Sequence, residues 1–423
     1  MKRSLLVLFT VVYLVLSSCG ESGTSNDSPE LDILFVSVSS CDFNNYTAYY
    51  NNKYPNVKLH FSSALELAHE PEPGGKPYDV KVIEAIKSGE YNPDVIIISS
   101  MEAFRYLNSG LLADLSGGTE LSAALENTEL LDGVSGLCRQ NEFFYGVPIQ
   151  INYLGLIPNK SLFDNMNIEI PSADWTFNEY FALAEQMARS DLFIPGEAYL
   201  IDSDREGSRF FNASLGIKVS DGYVPEFATS AFINYLQKSK QIIDSDVLAR
   251  HEHEEEEHEE DDDIHTSNNR LLNSIYITDL HDYMSGKFSG ETILLPPKTV
   301  QDGLCIDGLM AAAIKGSKNE ATARSFIAEF FSEDYQRKYA TEMLLYKDKD
   351  RYEIMKRIDK NVEQWLVDVS KSILPVIYPD ELINWMEYEL YPRLSKESLT
   401  MEQYAQHIQD KATELYTFTD HEE

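Results

Sequence analysis

Basic residues are scarce in this chain relative to acidic ones. It carries 35 lysines and arginines against 70 aspartates and glutamates, which gives a formal net charge of −35. Nucleic acids and anionic lipid surfaces repel a chain with so large a negative charge. We therefore expect no nucleic-acid partner.

Recognisable catalytic and cofactor motifs are also lacking. The nucleophile elbow Gly-x-Ser-x-Gly is not completed after Ser135 and Gly136, because Leu137 follows them. Neither a P-loop nor a dinucleotide-binding glycine fingerprint is present. We expect a protein that is not an enzyme and needs no cofactor. A secreted, lipid-anchored glycoside hydrolase is the alternative, because its paired carboxylates would be hidden among the many acidic residues.

Apolar runs long enough to cross a membrane are missing. The run Leu5–Leu16 follows Lys2 and Arg3, and it falls short of the ~20 apolar residues that a spanning helix needs. A basic start, a short apolar region and small residues before a cleavage point are typical of a secretory signal. We predict that residues 1–18 are a signal peptide and are removed.

The end of this signal resembles the bacterial lipobox, whose cysteine is lipidated and becomes the new amino terminus. Its sequence is Leu16-Ser17-Ser18-Cys19; the alternative is an ordinary signal peptide with an incidental cysteine. Residues 19–30 are small and polar, which predicts a flexible tether. We therefore expect a protein that is anchored through Cys19 to the extracytoplasmic face of the cell membrane.

Cysteines are few for an exported protein. Of the four in the chain, lipidation of Cys19 leaves Cys41, Cys138 and Cys305. An odd number allows at most one disulfide, and the spacing matches no metal-binding motif. We predict reduced, buried thiols.

Strands and helices alternate in the first part of the chain. Roughly 400 residues exceed what one hydrophobic core usually serves, so two lobes are expected. The alternation predicts an α/β fold with a parallel sheet and right-handed crossovers. The predicted strands are Leu31–Val38, Val57–Phe61 and Val95–Ile98, and the predicted helices are Phe43–Tyr54, Tyr78–Ser88 and Ser99–Gly110.

The segment Glu142–Glu179 carries an ordered series of motifs around an apolar run that is typical of a strand buried on both faces. The series consists of Tyr145-Gly146-x-Pro148, the run Ile149–Ile157, Asn159-Lys160, Leu162-Phe163, Pro171, and Trp175-Thr176 before a helix that contains Glu179. This order resembles the family 1 extracellular solute-binding proteins, the sugar-binding receptors of ABC importers. Gly110–Leu115 and Ser317-Lys318-Asn319 strengthen the resemblance.

The resemblance implies a two-lobed, periplasmic-binding-protein-like fold with a hinge and a ligand cleft between the lobes. It implies a carbohydrate ligand and ABC permease subunits as partners. It places the crossings between lobes near Gln150, Pro297 and Glu342. The first lobe would comprise residues 31–150 plus 298–341, and the second lobe residues 151–297 plus 342–423.

Ligands of open α/β sheets bind beyond the carboxyl ends of the strands. This rule indicates Ser40 and Asp42 after the first predicted strand, and Ser99 and Ser100 after the third. Their side chains could exchange hydrogen bonds with a polyol. The alternative is that they cap the helices that follow.

Four further residues complete the predicted site. Alignment on the family's strand places Asn152 towards the cleft, although a hinge amide with satisfied hydrogen bonds is an equal alternative. Asp307 is expected to face the cleft from a later strand, and Tyr223 and Tyr276 are candidate stacking platforms for a sugar. Most aromatic residues must still be core residues, and we predict that Trp175 packs at the start of its helix.

The run His251–His265 reads HEHEEEEHEEDDDIH. Residues 251–263 are almost entirely charged, which predicts a solvated, disordered insert. A weak metal site at His251, His253 and His258 is the alternative, and it would suggest a metal-scavenging lipoprotein. The spacing does not match the metalloprotease pattern, because His258 follows His253-Glu254 one position too late.

Overall fold

A computed structural model provides the architecture of this protein. It describes residues 29–36, 44–64, 78–99, 102–117, 139–140, 143–172, 175–195, 197–201, 226–247, 269–277, 293–294, 297, 304–338, 373–375, 382, 385 and 399–416. None of the helices in these ranges has the length and apolar character needed to cross a membrane.

Strands of the described residues contribute mainly to one mixed sheet. In chain order they are β1 (Glu30–Phe35), β2 (Lys58–Ser63), β3 (Val95–Ser99), β4 (Arg139–Gln140), β5 (Phe143–Phe144), β6 (Val147–Pro158), β7 (Leu272–Ile277), β8 (Leu304–Ala313) and β9 (Ile373–Pro375).

The helices lie mostly between these strands and after β8. They are α1 (Asn44–Lys53), α2 (Tyr78–Ser88), α3 (Ala103–Asn108), α4 (Lys160–Met166), α5 (Phe177–Arg189), α6 (Ser230–Asp244), α7 (Glu320–Ala328), α8 (Glu333–Lys338) and α9 (Met401–Tyr416), with 3-10 turns at Leu115–Gly117 and Glu329–Phe331.

The sheet begins as the predicted parallel α/β arrangement. Strand β1 pairs in parallel with β2 on one side and with β3 on the other. Strand β8 then pairs antiparallel with β3, β6 antiparallel with β8, and β7 antiparallel with β6, so the order is β2-β1-β3-β8-β6-β7. The predicted parallel pairing is confirmed for the first three strands, and the later strands make the sheet mixed.

Buried residues of the described ranges include two separate hydrophobic cores. The first core contains Ile96 of β3 and Met310 of β8, packed with residues of α2 and α3. The second core contains Trp175 and residues of α4, α5, α6 and α9, together with Leu156 of β6. Each core serves one lobe, so the predicted two-lobed α/β fold is confirmed.

Helix α1 is held against the end of α7 by aromatic and charged side chains. The ring of Tyr46 stacks on that of Phe330 at 3.7 Å between centroids. Beside this stack lies a group that we call the Glu329 clip. The Glu329 carboxylate accepts hydrogen bonds from Lys53 Nζ at 2.8 Å, Tyr49 OH at 2.9 Å and Tyr54 OH at 2.7 Å.

The clip shifts the ionisation of its carboxyl group. Burial alone would raise the pKa of Glu329, but the hydrogen bonds from Lys53, Tyr54 and Tyr49 outweigh burial and lower that pKa. The carboxylate is therefore the favoured form in the folded state.

The structure corrects several predicted bounds. Strand β1 ends at Phe35, not at Val38, and α3 begins at Ala103, not at Ser99. Ser99 stays in β3 because its backbone pairs with Leu309 of β8. Strand β9 forms late in the chain, because the backbone of Leu304–Ile306 in β8 provides it with a parallel partner.

Candidate ligand-binding cleft

Strand β6 changes its partner midway along its length. Its first part pairs with β8, from Val147 opposite Ala311 to Asn152 opposite Asp307. Its second part pairs with β7, beginning with Tyr153. The partner of β6 therefore changes from β8 to β7 between Asn152 and Tyr153, close to the crossing between lobes that is expected near Gln150.

Close packing and a bulge shape the approach to this crossing. A Cβ atom on Gly146 would lie 3.1 Å from Met310 Cε and 3.2 Å from the backbone oxygen of Ala311. The β6–β8 register then shifts between Pro148 and Gln150. A bulge bends a strand and increases its twist, so the Tyr-Gly-x-Pro motif marks the point where β6 is packed tightly and then redirected.

Two of the sequence-predicted site residues meet at the crossing. The backbone of Asn152 lies directly opposite that of Asp307, and opposite residues of an antiparallel pair have Cα atoms about 4.5–5.5 Å apart. Tyr276 of β7 lies opposite Leu154, the next residue of β6 on the same side of the ladder as Asn152.

Ser99 joins this group from the neighbouring strand. It is the last residue of β3, lies opposite Leu309, and is 8% exposed. Leu309 is the next residue of β8 on the same side as Asp307, because alternate residues of a strand share a face. Positions 99, 152, 276 and 307 therefore share one face of the ladder, at the carboxyl end of β3 where ligands of α/β sheets bind.

A buried ion pair connects α3, the helix that follows β3, to α2. Arg105 Nη1 on α3 lies 2.5 Å from Asp79 Oδ1 on α2, with the two side chains 6% and 1% exposed. This pair was not predicted from the sequence. A single Asp and a single Arg on separate helices have no local signal that could reveal it.

Other family motifs serve helix starts in the second lobe. The Asn159 side chain accepts a hydrogen bond from the Leu162 backbone N–H and caps α4. Thr176 and Glu179 form a reciprocal capping box at the start of α5. Trp175 is 1% exposed in the second core, which confirms its predicted packing role.

The remaining predicted residues are only partly described. At Asn152, Tyr276 and Asp307 the description is of the backbone, so their roles stay predictions. Within the described ranges no group of three or more metal-ligating side chains occurs. Predicted residues that lie outside the described ones are Cys19, Ser40, Cys41, Asp42, Ser100, Cys138, Tyr223, His251, His253 and His258.

The family of the chain is decided by its sequence over residues 77–346, a range that contains both β6 and β8. These residues match the model of the bacterial extracellular solute-binding proteins. This chain belongs to that family. None of the curated protein sequences matches this solute-binding protein.

Solved structures share its fold. An ABC substrate-binding protein from Listeria monocytogenes, in complex with cycloalternan, matches with a TM-score of 0.66 at 13% identity, over 93% of this chain and all (100%) of the other. The cyclic alpha-maltosyl-1,6-maltose binding protein from Arthrobacter globiformis matches with a TM-score of 0.65 at 15% identity, over 92% of this chain and 100% of the other. The galacto-N-biose-/lacto-N-biose I-binding protein from Bifidobacterium longum matches with a TM-score of 0.63 at 16% identity, over 92% of this chain and 98% of the other. The solute-binding protein therefore has their two-lobed fold, with a hinge and an interlobe cleft.

Proposed function

We propose that this solute-binding protein captures a carbohydrate in the cleft between its lobes and delivers it to the permease subunits of an ABC importer. The observation that carries the proposal is the register pair Asn152–Asp307 at the crossing of β6, with Ser99 at the end of β3 on the same face. A cleft between hinged lobes closes around a small ligand and encloses it.

The residue types at this edge suit a polyol. A carboxylate such as that of Asp307 accepts hydrogen bonds from sugar hydroxyls, and an amide such as that of Asn152 both donates and accepts. Tyr276, and Tyr223 if it reaches the cleft, would contribute rings for the apolar face of a sugar. The oligosaccharides bound by the similar proteins from Listeria and Bifidobacterium support the same ligand class.

The proposed lobes keep the boundaries expected from the sequence, with residues 31–150 plus 298–341 in the first and residues 151–297 plus 342–423 in the second. The change of partner along β6, just after Gln150, supports the first of these boundaries. Hinge motion would then bend the chain where the ladder passes from β8 to β7.

The proposal places the protein outside the cytoplasmic membrane, with Cys19 lipidated and residues 19–30 as its tether. The extracellular family supports the compartment, and the lipobox-like sequence supports the anchor. The receptor would release its sugar unchanged, so we infer no catalytic activity.

A thermal-shift screen tests the ligand class. The panel contains monosaccharides, mannitol, maltotriose, lacto-N-biose and cycloalternan. A ligand that binds only the folded state adds about 2.7 kcal/mol of stability at a hundred times its Kd, so we expect at least one sugar to raise the Tm in a concentration-dependent way. A panel without any shift would contradict the proposal. Chromatography after long incubation must recover the bound sugar intact, because cleavage would instead support the glycoside hydrolase.

A further inference from the structure

The ion pair between Asp79 and Arg105 needs an explanation other than stability. Both side chains are almost fully buried in the first lobe, at 1% and 6% exposure. Removing two charges from water costs several kcal/mol per ion, and well-packed apolar residues of similar volume are often equally stable or more stable. What the pair provides in addition is a directed link between two helices, because the planar guanidinium of Arg105 donates from Nη1 to Asp79 Oδ1.

Helix α3 depends on such contacts for its position. It has only six residues, and its N-cap residue Glu102 makes no side-chain capping bond. A helix this short has little stability of its own. Its placement therefore depends on tertiary contacts, namely the bond from Arg105 to α2 and the burial of Ala103 and Tyr106.

A short chain of hydrogen bonds connects the ion pair to Ser99. The backbone N–H of Arg105 donates to the oxygen of Glu102 at 3.0 Å, and the N–H of Glu102 donates to the oxygen of Ser99 at 3.1 Å. A shift of α3 relative to α2 would therefore move the end of β3. That end lies at the carboxyl edge of the sheet, next to the Asn152–Asp307 pair.

We propose that Asp79 and Arg105 are positioning residues for ligand binding, which hold α3 against α2 and thereby fix Ser99 at the edge of the cleft. The inference rests on the proposed function. Neither residue is expected to touch the ligand. A binding group must stay within about 0.5 Å of its productive position, so losing the pair should weaken binding more than it weakens the fold.

The test replaces both charges with apolar residues of similar size, in the double variant Asp79→Leu/Arg105→Met of the full chain. We expect a Tm close to that of the wild type, because the double replacement removes both charges of the pair together. Affinity for the sugar of the panel that gives the largest shift with the wild type should fall about tenfold or more. Without ligand, hydrogen exchange of the Glu102 amide, measured by NMR, should be about tenfold faster.

A matched double variant in the same lobe, Lys53→Met/Glu329→Leu, serves as the control. It removes the ion pair of the Glu329 clip, so it should leave both the sugar affinity and the exchange of the Glu102 amide unchanged. The more conservative variant Arg105→Lys keeps the charge but replaces the planar guanidinium with a shorter ammonium group, and it should show an intermediate loss of affinity with a wild-type Tm.

A folded Asp79→Leu/Arg105→Met protein with wild-type affinity and wild-type Glu102 exchange would overturn the proposal. If this variant does not fold, Arg105→Lys decides, and wild-type affinity in that variant rejects a positioning role. If no sugar binds the wild type, the proposed function fails. In that case the exchange measurement still decides whether the ion pair fixes Ser99, because unchanged Glu102 exchange overturns that positioning and faster exchange supports it.

Discussion

At the scale of single residues, the proposed carbohydrate site depends on the backbone pair of Asn152 and Asp307. These residues are far apart in the sequence, and strand register alone places them opposite each other where β6 leaves the first lobe. An amide and a carboxylate at such a point offer a ligand several hydrogen-bonding atoms in a small space. Substitutions at these two positions should therefore reduce ligand affinity more than they reduce the stability of the fold.

Replacing Asn152 tests this expectation. Asn152→Leu removes the amide and leaves a sugar hydroxyl without its partner, so affinity should fall by about 1–3 kcal/mol with little change in Tm. Calorimetric titration with the sugar found in the screen measures the loss. Asn178→Leu, an exposed substitution on α5, should bind like the wild type. Equal affinity in the Asn152 variant would refute the assignment.

A second single-residue prediction concerns the anchor. The sequence before Cys19 predicts lipidation of its thiol, so Cys19→Ala should release the protein from the membrane fraction or stall its processing. Immunoblotting of membrane and soluble fractions measures the distribution. A variant that remains in the membrane fraction to the same extent as the wild type would exclude lipidation at this position.

At the scale of secondary-structure elements, local patterns in the sequence predicted a helix such as α2 better than they predicted which strands pair. Helix α2 lies at Tyr78–Ser88 as predicted, because its apolar residues repeat with helical spacing towards the first core. The antiparallel insertion of β8 beside β3 could not be predicted, since pairing between distant strands leaves no mark on local periodicity. The Asp79–Arg105 pair could not be predicted either, because a contact between two separate helices leaves no local pattern in the sequence. The helix start predicted at Ser99 was wrong because a strand partner, Leu309, overrode the local capping signal.

The Glu329 clip supplies a prediction at this scale. The pKa of Glu329 is lowered in the folded state, so the clip stabilises the fold above the unfolded pKa of about 4.3. That contribution is lost as the pH falls through the lower, folded-state pKa. Glu329→Gln should reduce the free energy of unfolding at pH ~7 by about 1 kcal/mol, a modest value because Lys53 is partly exposed.

Urea unfolding at neutral pH and at pH ~3 measures the effect, and the difference between Glu329→Gln and the wild type should shrink in acid. Asp334→Asn, which breaks an exposed pair with Lys338 on α8, should cause a smaller change than Glu329→Gln at neutral pH, because exposed ion pairs contribute little. A difference between the Glu329 variant and the wild type that grows in acid would show that the clip does not favour the carboxylate.

At the scale of the whole molecule, two hydrophobic cores are connected through strands that belong to both lobes. Strand β6 pairs with β8 at Val147 and contributes Leu156 to the second core. We expect neither core to depend on the acidic run at residues 251–263, because its ten carboxylates and three imidazoles have nothing apolar to bury. Folding and solute binding should therefore be independent of that run.

Deleting residues 251–263 tests this independence. We expect the deletion variant to keep the thermal transition and the sugar affinity of the full chain. Zinc titration of both proteins should show weak, salt-sensitive binding in each. Loss of the thermal transition or of sugar affinity would show that residues 251–263 are needed for folding or for sugar binding. Micromolar zinc binding that disappears with the deletion would support a metal site at His251, His253 and His258.

The most direct test of the whole account is a crystal structure of the protein with the sugar that gives the largest thermal shift. We expect the sugar between the two lobes, with hydroxyl groups within hydrogen-bonding distance of the side chains of Asn152 and Asp307. A sugar bound elsewhere on the protein, or bound in the cleft without contact to either side chain, would contradict it.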